Sequence, residues 1–373
     1  MQTVINNILK FQLSAEELSK KSHIPIHRIH EILQKANEPL ISEVRAIAKA
    51  LKVQPDFLLS DSNSYRSINA IFRKNVNEKG EIIADRISYI LSNALFLLGS
   101  YRPNIEIMDK FPKVENTYKG VLELASLFRQ QFFRSDFVSP LLNLPEIIVE
   151  QLDCILLSVE LGTSVDGASA IINGVPFILI SPRFKPRMLF TLAHELGHII
   201  AHHRDSENFA SIDTNTFRLN KKSRENEMFA YAFAAEILMP QEGVAKTLQF
   251  LRTKFSFNPN FIGEIELLYL SRIYGVSFEV AALRCENLGI LPEGAAVSLY
   301  DSLKKEFGGP EKRAEQLDLP ARPGLNFPKI SPNLMEAAIG KINNEEISLG
   351  RAAELLSISI TDLIHYNAFK EWI

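Results

Sequence analysis

The sequence is poor in the features that would settle its class quickly. It holds two cysteines, Cys154 and Cys285, one tryptophan, Trp372, and no surplus of either charge in 373 residues. Two cysteines exclude a disulfide framework and a Cys-based metal knuckle, and both are expected as small buried hydrophobes. The 41 basic and 44 acidic side chains leave a formal net charge of −3, which excludes a large polybasic grip on nucleic acid while leaving room for a small basic module. No apolar run approaches the ~18 residues of a membrane span. The opening MQTVINNILK lacks the basic-then-apolar build of a signal peptide, so a cytoplasmic location without membrane contact is expected. There is no period of 20–50 residues and hence no solenoid. What remains is an ordinary globular composition, 46% hydrophobic and 23% charged, with length enough for two or three domains and a core that needs no staples.

Pattern divides the chain further. Residues 1–60 are helical in period and end in a polar stretch, Ser60 to Ser67, that reads as a linker. Residues 61–114 form a helical connector, with apolar residues at helical spacing in DRISYILSNALFLL; the same spacing returns in GVLELASLFRQQFF. The period then changes. CILLSVEL and SAIINGVPFILI are short β-branched-rich runs, and Asn173-Gly174 marks a hairpin. A helix from Pro186 to His203, a polar connection from Asp205 to Arg224 and a helix from Glu225 to Leu238 follow, the last stopped by Met239-Pro240. Residues 291–373 turn loop-rich (GGPEKR, LPARPGLNFPK) before a final helical pair at 332–373.

The chemistry concentrates in TLAHELGHIIAHH. His194 and His198 lie four apart, one turn along the same face of a helix. Two imidazoles so placed can hold one zinc ion, and Glu195 between them can act as general base. Zinc lowers the pKa of a bound water toward ~7, and the glutamate can pass the proton it takes to a leaving amine. A third protein ligand is needed. His202 keeps the register, but three histidines at this spacing span ~12 Å of helix axis, too far for metal–nitrogen bonds of ~2 Å. The metzincin solution needs a helix-breaking Gly and a third His ten residues after the first, where Arg204 stands. A glutamate on the next helix is the remaining route. Of Glu225, Glu227 and Glu236, only Glu227 continues the stripe of Ala230, Phe233, Ala234 and Ile237. A carboxylate on such a stripe faces the core and needs a partner there. Glu227 is therefore the expected third ligand.

RMLFTLAHELGHIIAHH, followed by E-x-x-A-x-x-F-A and ILMP, resembles the ImmA/IrrE group of zinc metallopeptidases. VDGASAIINGVPFILIS is similar to the hairpin that precedes the metal helix there, and YLSRIYGVSFEVAALRCENLGIL to its closing helices. The resemblance spans residues 115–290. It implies zinc held by His194, His198 and Glu227, with Glu195 catalytic and His202 beside the site in a supporting role. Four residues after the ligand glutamate that family usually carries Asn or Asp; here Tyr231 stands, offering a packing residue or a hydroxyl for an oxyanion. The expected fold is α+β and mostly helical, a small zincin-like domain of antiparallel strands plus the HExxH helix, flanked by helical domains.

In residues 13–39 Ser14 and Glu17 form a capping-box signal, and Pro25 fits the first position of a second helix. Residues 10–60 thus resemble a repressor-type (Cro/C1-like) helix-turn-helix. In that docking mode Ile26, His27, Arg28, His30 and Glu31 would approach bases. Eight Lys/Arg against six Asp/Glu in residues 1–60 give only +2, thin for phosphate binding, and a helical bundle for homodimerisation or partner docking explains the module equally well. Ser348 to His365 repeats the pattern faintly and is expected to pack on the peptidase domain or on another protomer, with Trp372 as an anchor.

Two functions follow from different classes. One is an intracellular zinc endopeptidase of narrow specificity. The resemblance implies a protein substrate, typically a helix-turn-helix repressor cleaved in a stress or mobile-element response. Phe177–Ile180 would pair with the extended substrate backbone. The other is a DNA-binding regulator, or an antitoxin-like protein, that uses the peptidase-like domain as sensor.

Overall fold

The computed structural model describes residues 2–9, 13–51, 55, 58, 68–69, 71–72, 78–101, 103, 110–202, 209–214, 221–256 and 262–370. The expected Ser60–Ser67 linker and Trp372 lie outside them. Two compact units emerge, Met1–Gly99 with Ala337–Ile373, and Ser100–Glu336. These limits differ from sequence boundaries drawn at 60, 114 and 290. Local periodicity marks where helices lie, whereas compactness depends on which distant helices they meet.

In the first unit, α1 (Gln2–Leu9), α2 (Ala15–Ser22), α3 (Ile26–Leu33), α4 (Ile41–Leu51) and α5 (Glu78–Leu98) are all helical. The Ser14–Glu17 capping box forms as its spacing predicts. Pro25 stands one place earlier than expected, as the cap before α3 rather than its first residue. His23 closes α2 in the left-handed region at φ 58°, where glycine is usual. Ile5, Leu18, Ile29, Ile32 and Ile47 form the core of residues 2–58.

The second unit begins with α6 (Tyr118–Phe132), capped by the Thr117 hydroxyl. A short turn at Leu144–Glu146 runs into one π-helical turn, Ile147–Gln151. Then come β1 (Ile155–Ser158), β2 (Val165–Ile172), β3 (Val175–Ile180), α7 (Lys185–His202), β4 (Phe209–Thr214), α8 (Lys221–Leu238), α9 (Gln241–Phe255), α10 (Glu264–Ile273), α11 (Phe278–Asn287), α12 (Ala295–Phe307) and α13 (Pro310–Gln316). The α+β, mostly helical architecture expected from sequence is present, with one small sheet of order β1-β3-β2-β4. That sheet is mixed rather than antiparallel, because β1 runs parallel to β3. Asn173 and Gly174 turn the β2–β3 hairpin with φ of 53° and 77°, the doubly left-handed pair that a two-residue turn requires.

Three expectations need correction. The connection from Asp205 to Arg224 contains a strand, β4, and α8 starts a turn earlier than Glu225. The stretch after 290 contains α12 and α13, the latter starting at Pro310 within GGPEKR, where a missing N–H costs nothing. Finally, β3 lies inside the sheet. Phe177–Ile180 pair with Ile155–Ser158 on one side and with β2 on the other, so their main-chain groups are not open to an extended peptide.

The chain closes with α14 (Pro332–Asn343), α15 (Leu349–Leu356) and α16 (Ile360–Lys370). Ser348 caps α15, and α15 packs on α5 within the first unit. Among the described residues no helix is long and apolar enough to cross a membrane. Cys154 and Cys285 are both buried and unbridged, as their scarcity suggests.

One buried cation fixes the end of α8. Arg129, on α6 and 1% exposed, donates to Ile237 O at 2.6 and 3.1 Å, to Asp136 O at 2.6 Å and to Ser139 O at 3.1 Å. Burial pulls its pKa down to about 10, still charged at neutral pH. Carbonyls at a helix end have no intrahelical partner, and this guanidinium supplies one. Arg129→Ala should strand those buried acceptors and cost about 3–5 kcal/mol, read as a melting temperature lower by roughly 10 °C. Arg129→Lys should recover less than half, because one ammonium cannot span three carbonyls.

Candidate metal centre

α7 rests on β2 and β3 and meets α8 along its length. The two helices lie close together at Gly197. A Cβ there would lie 3.1 Å from Ala230 Cα and 3.1 Å from Phe233 Cδ1, tighter than side chains normally tolerate. The Gly197–Ala230 contact lets α8 carry Glu227 up to the two histidines. Ala230, Phe233, Ala234 and Ile237 are fully buried beneath it, the apolar stripe that the sequence marks.

Three candidate ligand side chains converge. His194 Nε2 lies 3.1 Å from Glu227 Oε2, His198 Nε2 lies 3.3 Å from Glu227 Oε1, and the two Nε2 atoms are 3.1 Å apart. Four donors at ~2.0–2.1 Å around a tetrahedral ion stand ~3.3 Å from one another. The His–His separation and the approach of one Glu227 oxygen to each histidine are compatible with a divalent ion of zinc size, and the mixture of imidazole nitrogen and carboxylate oxygen suits that class of metal. Among the described residues this is the group able to hold an ion. The histidines are 7% and 1% exposed, whereas the Glu227 side chain keeps 25%, so access comes from the glutamate side. Burial pushes the Glu227 carboxyl up, but hydrogen bonds and charge from His194 and His198 outweigh it and hold it well below the usual carboxylate range.

Glu195 turns the other way, toward the sheet, and is fully buried. Ser169 on β2 donates from Oγ to Glu195 Oε2 at 2.6 Å. Two residues earlier on the same strand, a Cβ at Gly167 would fall 2.6 Å from Thr191 Cγ2 and 2.8 Å from Glu195 Oε1. Only a glycine leaves room for the carboxylate there. Ser211 on β4 pairs across the sheet with Ser169 and donates from Oγ to Glu227 Oε1 at 3.4 Å. Neither serine is marked by the metal motif. The alternation that sets small Gly167 and Ser169 on one face of β2 is the available signal for the first, and β4 is not legible enough to offer one for Ser211.

His202 is buried but sits behind the ligands, with Nδ1 3.4 Å from His198 Nδ1. Tyr231 packs its ring edge-on against Phe190, centroids 5.0 Å apart. Burial raises the pKa of its hydroxyl, whose charged neighbours are Arg284 and Glu279 on α11. Glu225 is exposed, and Glu236 is buried against Arg284, so neither joins the group. In the first unit, His27 and His30 lie exposed on α3. Arg28 is held inside its own module, at 2.8 Å from both Glu31 Oε2 and Glu43 Oε1 and donating to Glu38 O at 2.8 Å.

The family model described as the IrrE N-terminal-like domain, peptidase M78, matches residues 157–286, roughly a third of the chain. No curated protein matches it. The matched segment holds His194, Glu195, His198 and Glu227, and the chain thus contains a metallopeptidase-like domain. Metal analysis of the purified protein should find about one divalent ion per chain, lost in His194→Ala and in Glu227→Ala. Retention of the ion in both variants would dismiss the group as a metal site.

Proposed function

We propose that the chain is an intracellular zinc-dependent endopeptidase of narrow specificity, with His194, His198 and Glu227 as ligands and Glu195 as general base. The observation that carries this reading is the convergence of His194 Nε2, His198 Nε2 and the Glu227 carboxylate within 3.1–3.3 Å contacts, with Glu195 next to His194 on the same helix. Zinc held there supplies Lewis-acid polarisation of the scissile carbonyl and a water of lowered pKa. Glu195 takes the proton of the attacking water on a carboxylate oxygen and delivers it to the leaving amine nitrogen. Ser169 orients that carboxylate by donating to Oε2. Leu192, Ala193, Leu196 and Ile199 on the same helix are fully buried, and such an apolar setting keeps bulk water from competing.

With β3 internal, the substrate backbone is placed along β4, the edge strand that carries Ser211 and sets Phe209 beside His198, ring centroids 6.4 Å apart. On the strength of the family resemblance, the substrate proposed is a regulatory protein of repressor type. A DNA-binding regulator finds less support. The one guanidinium among its candidate base contacts, Arg28, has its ion pairs within the module.

Glu195→Gln should keep its metal and lose cleavage by about 10²–10⁴-fold. The check is a survey of new protein N-termini in a lysate of the native host treated with wild type or with the variant. Termini generated equally by both would remove Glu195 from the reaction, and none generated by either would remove the peptidase reading. Once a cleaved peptide is in hand, Ser169→Ala should lower kcat about tenfold with little change in KM, since Ser169 orients the base without touching substrate.

A further inference from the structure

Behind the ligand His198 the side chains form a directional relay that ends on the other ligand helix. His198 Nδ1 lies 3.4 Å from His202 Nδ1, and His202 Nε2 lies 3.4 Å from Asn116 Oδ1. Asn116 Nδ2 donates at 2.6 Å to Asn226 Oδ1, and Asn226 immediately precedes Glu227. Metal binding by His198 sets one consistent proton assignment along this line. If His198 gives its Nε2 lone pair to a metal, its proton sits on Nδ1 and is donated to His202 Nδ1. His202 then carries its own proton on Nε2 and donates it to Asn116 Oδ1, an acceptor only. The Asn116 amide nitrogen is left to donate onward, and the acceptor it meets is Asn226 Oδ1. Every donor faces an acceptor. A proton on His198 Nε2 instead would blunt the ligand and reverse the first bond, setting an unprotonated His202 Nε2 against Asn116 Oδ1.

We infer that Asn116 is a positioning residue for the metal centre. Through His202 it fixes the tautomer in which His198 can bind, and through Asn226 it ties that histidine to the helix bearing Glu227. This rests on the zinc reading proposed above and adds a residue from the turn before α6, outside the segment that the family model matches. Partners of this kind orient a ligating imidazole and raise its basicity, and their loss costs metal affinity about 10–100-fold. Asn116 itself is exposed, so its removal leaves no cavity in the core.

The test is zinc affinity of the full chain by competition with a chromophoric chelator, read beside the absorption spectrum of the cobalt(II)-substituted protein. Asn116→Ala should weaken zinc at least about tenfold and shift the cobalt bands, while the metal-free protein melts within about 1 °C of wild type. Asn116→Asp retains an acceptor for His202 but loses the donor to Asn226, and its affinity should fall between those of wild type and Asn116→Ala. In a His202→Ala background, Asn116→Ala should cost almost nothing further, since coupled residues are not additive. Equal zinc affinity in wild type and Asn116→Ala would overturn the inference, as would an Asn116→Asp loss as large as that of alanine. If the wild-type chain itself takes up no zinc, the metal reading fails first and this inference with it, an outcome the wild-type titration alone reveals.

Discussion

Everything at the metal centre depends on how closely two helices can approach. α7 supplies two imidazoles on one face by its own 3.6-residue period, but a third donor must come from elsewhere, and α8 reaches it only because Gly197 lies against Ala230. A methyl group at that contact would have to push the helices apart by a few tenths of an ångström. The ligand atoms stand 3.1–3.3 Å apart, so such a displacement is a tenth of the spacing that defines the site. The small residues in α7 and in the stripe below Glu227 are therefore as much a part of the candidate site's geometry as the three side chains themselves.

The same packing sets an electrostatic problem. Two histidines and two glutamates are drawn into an apolar core formed by Leu192, Leu196, Ile199, Phe229 and Phe233. Burial of charge is expensive without hydrogen bonds and opposite charge close by. Each carboxylate has a separate answer. Glu227 is kept ionised by the imidazoles, while Glu195 is seated on the Ser169 hydroxyl in a space that Gly167 leaves open. Adjacent helices thus hold two acids of the same type in different surroundings.

The sequence made the centre of this arrangement legible and its surroundings much less so. His194, Glu195 and His198 follow from a five-residue spacing, and Glu227 from its place on an apolar stripe, because helical periodicity is local. The hairpin was equally clear, since Asn173-Gly174 is a turn signal needing no distant partner. Pairings between remote segments left no such trace. The parallel β1–β3 ladder, strand β4 in a polar connection and the packing of α15 on α5 all join residues far apart in sequence. Asn116 was invisible for the same reason. It lies in a turn, belongs to no periodic face, and acquires its partners only when α6, α7 and α8 are assembled.

The cross-strand pairing of Ser169 with Ser211 makes the sheet a measuring device for the two acids. Side chains alternate along a strand, so β4 can shift against β2 only in whole-residue steps, and a single step would turn Ser211 to the opposite face. Contact with Glu227 is therefore held in an all-or-none manner, unlike a loop contact that can lengthen by degrees. The irregularity between Val165 and Ala168 breaks the ladder's repeat at one end and so distinguishes the correct alignment from its neighbours. Strand alignment, a property usually credited to folding alone, here decides which oxygen of which glutamate meets a hydroxyl.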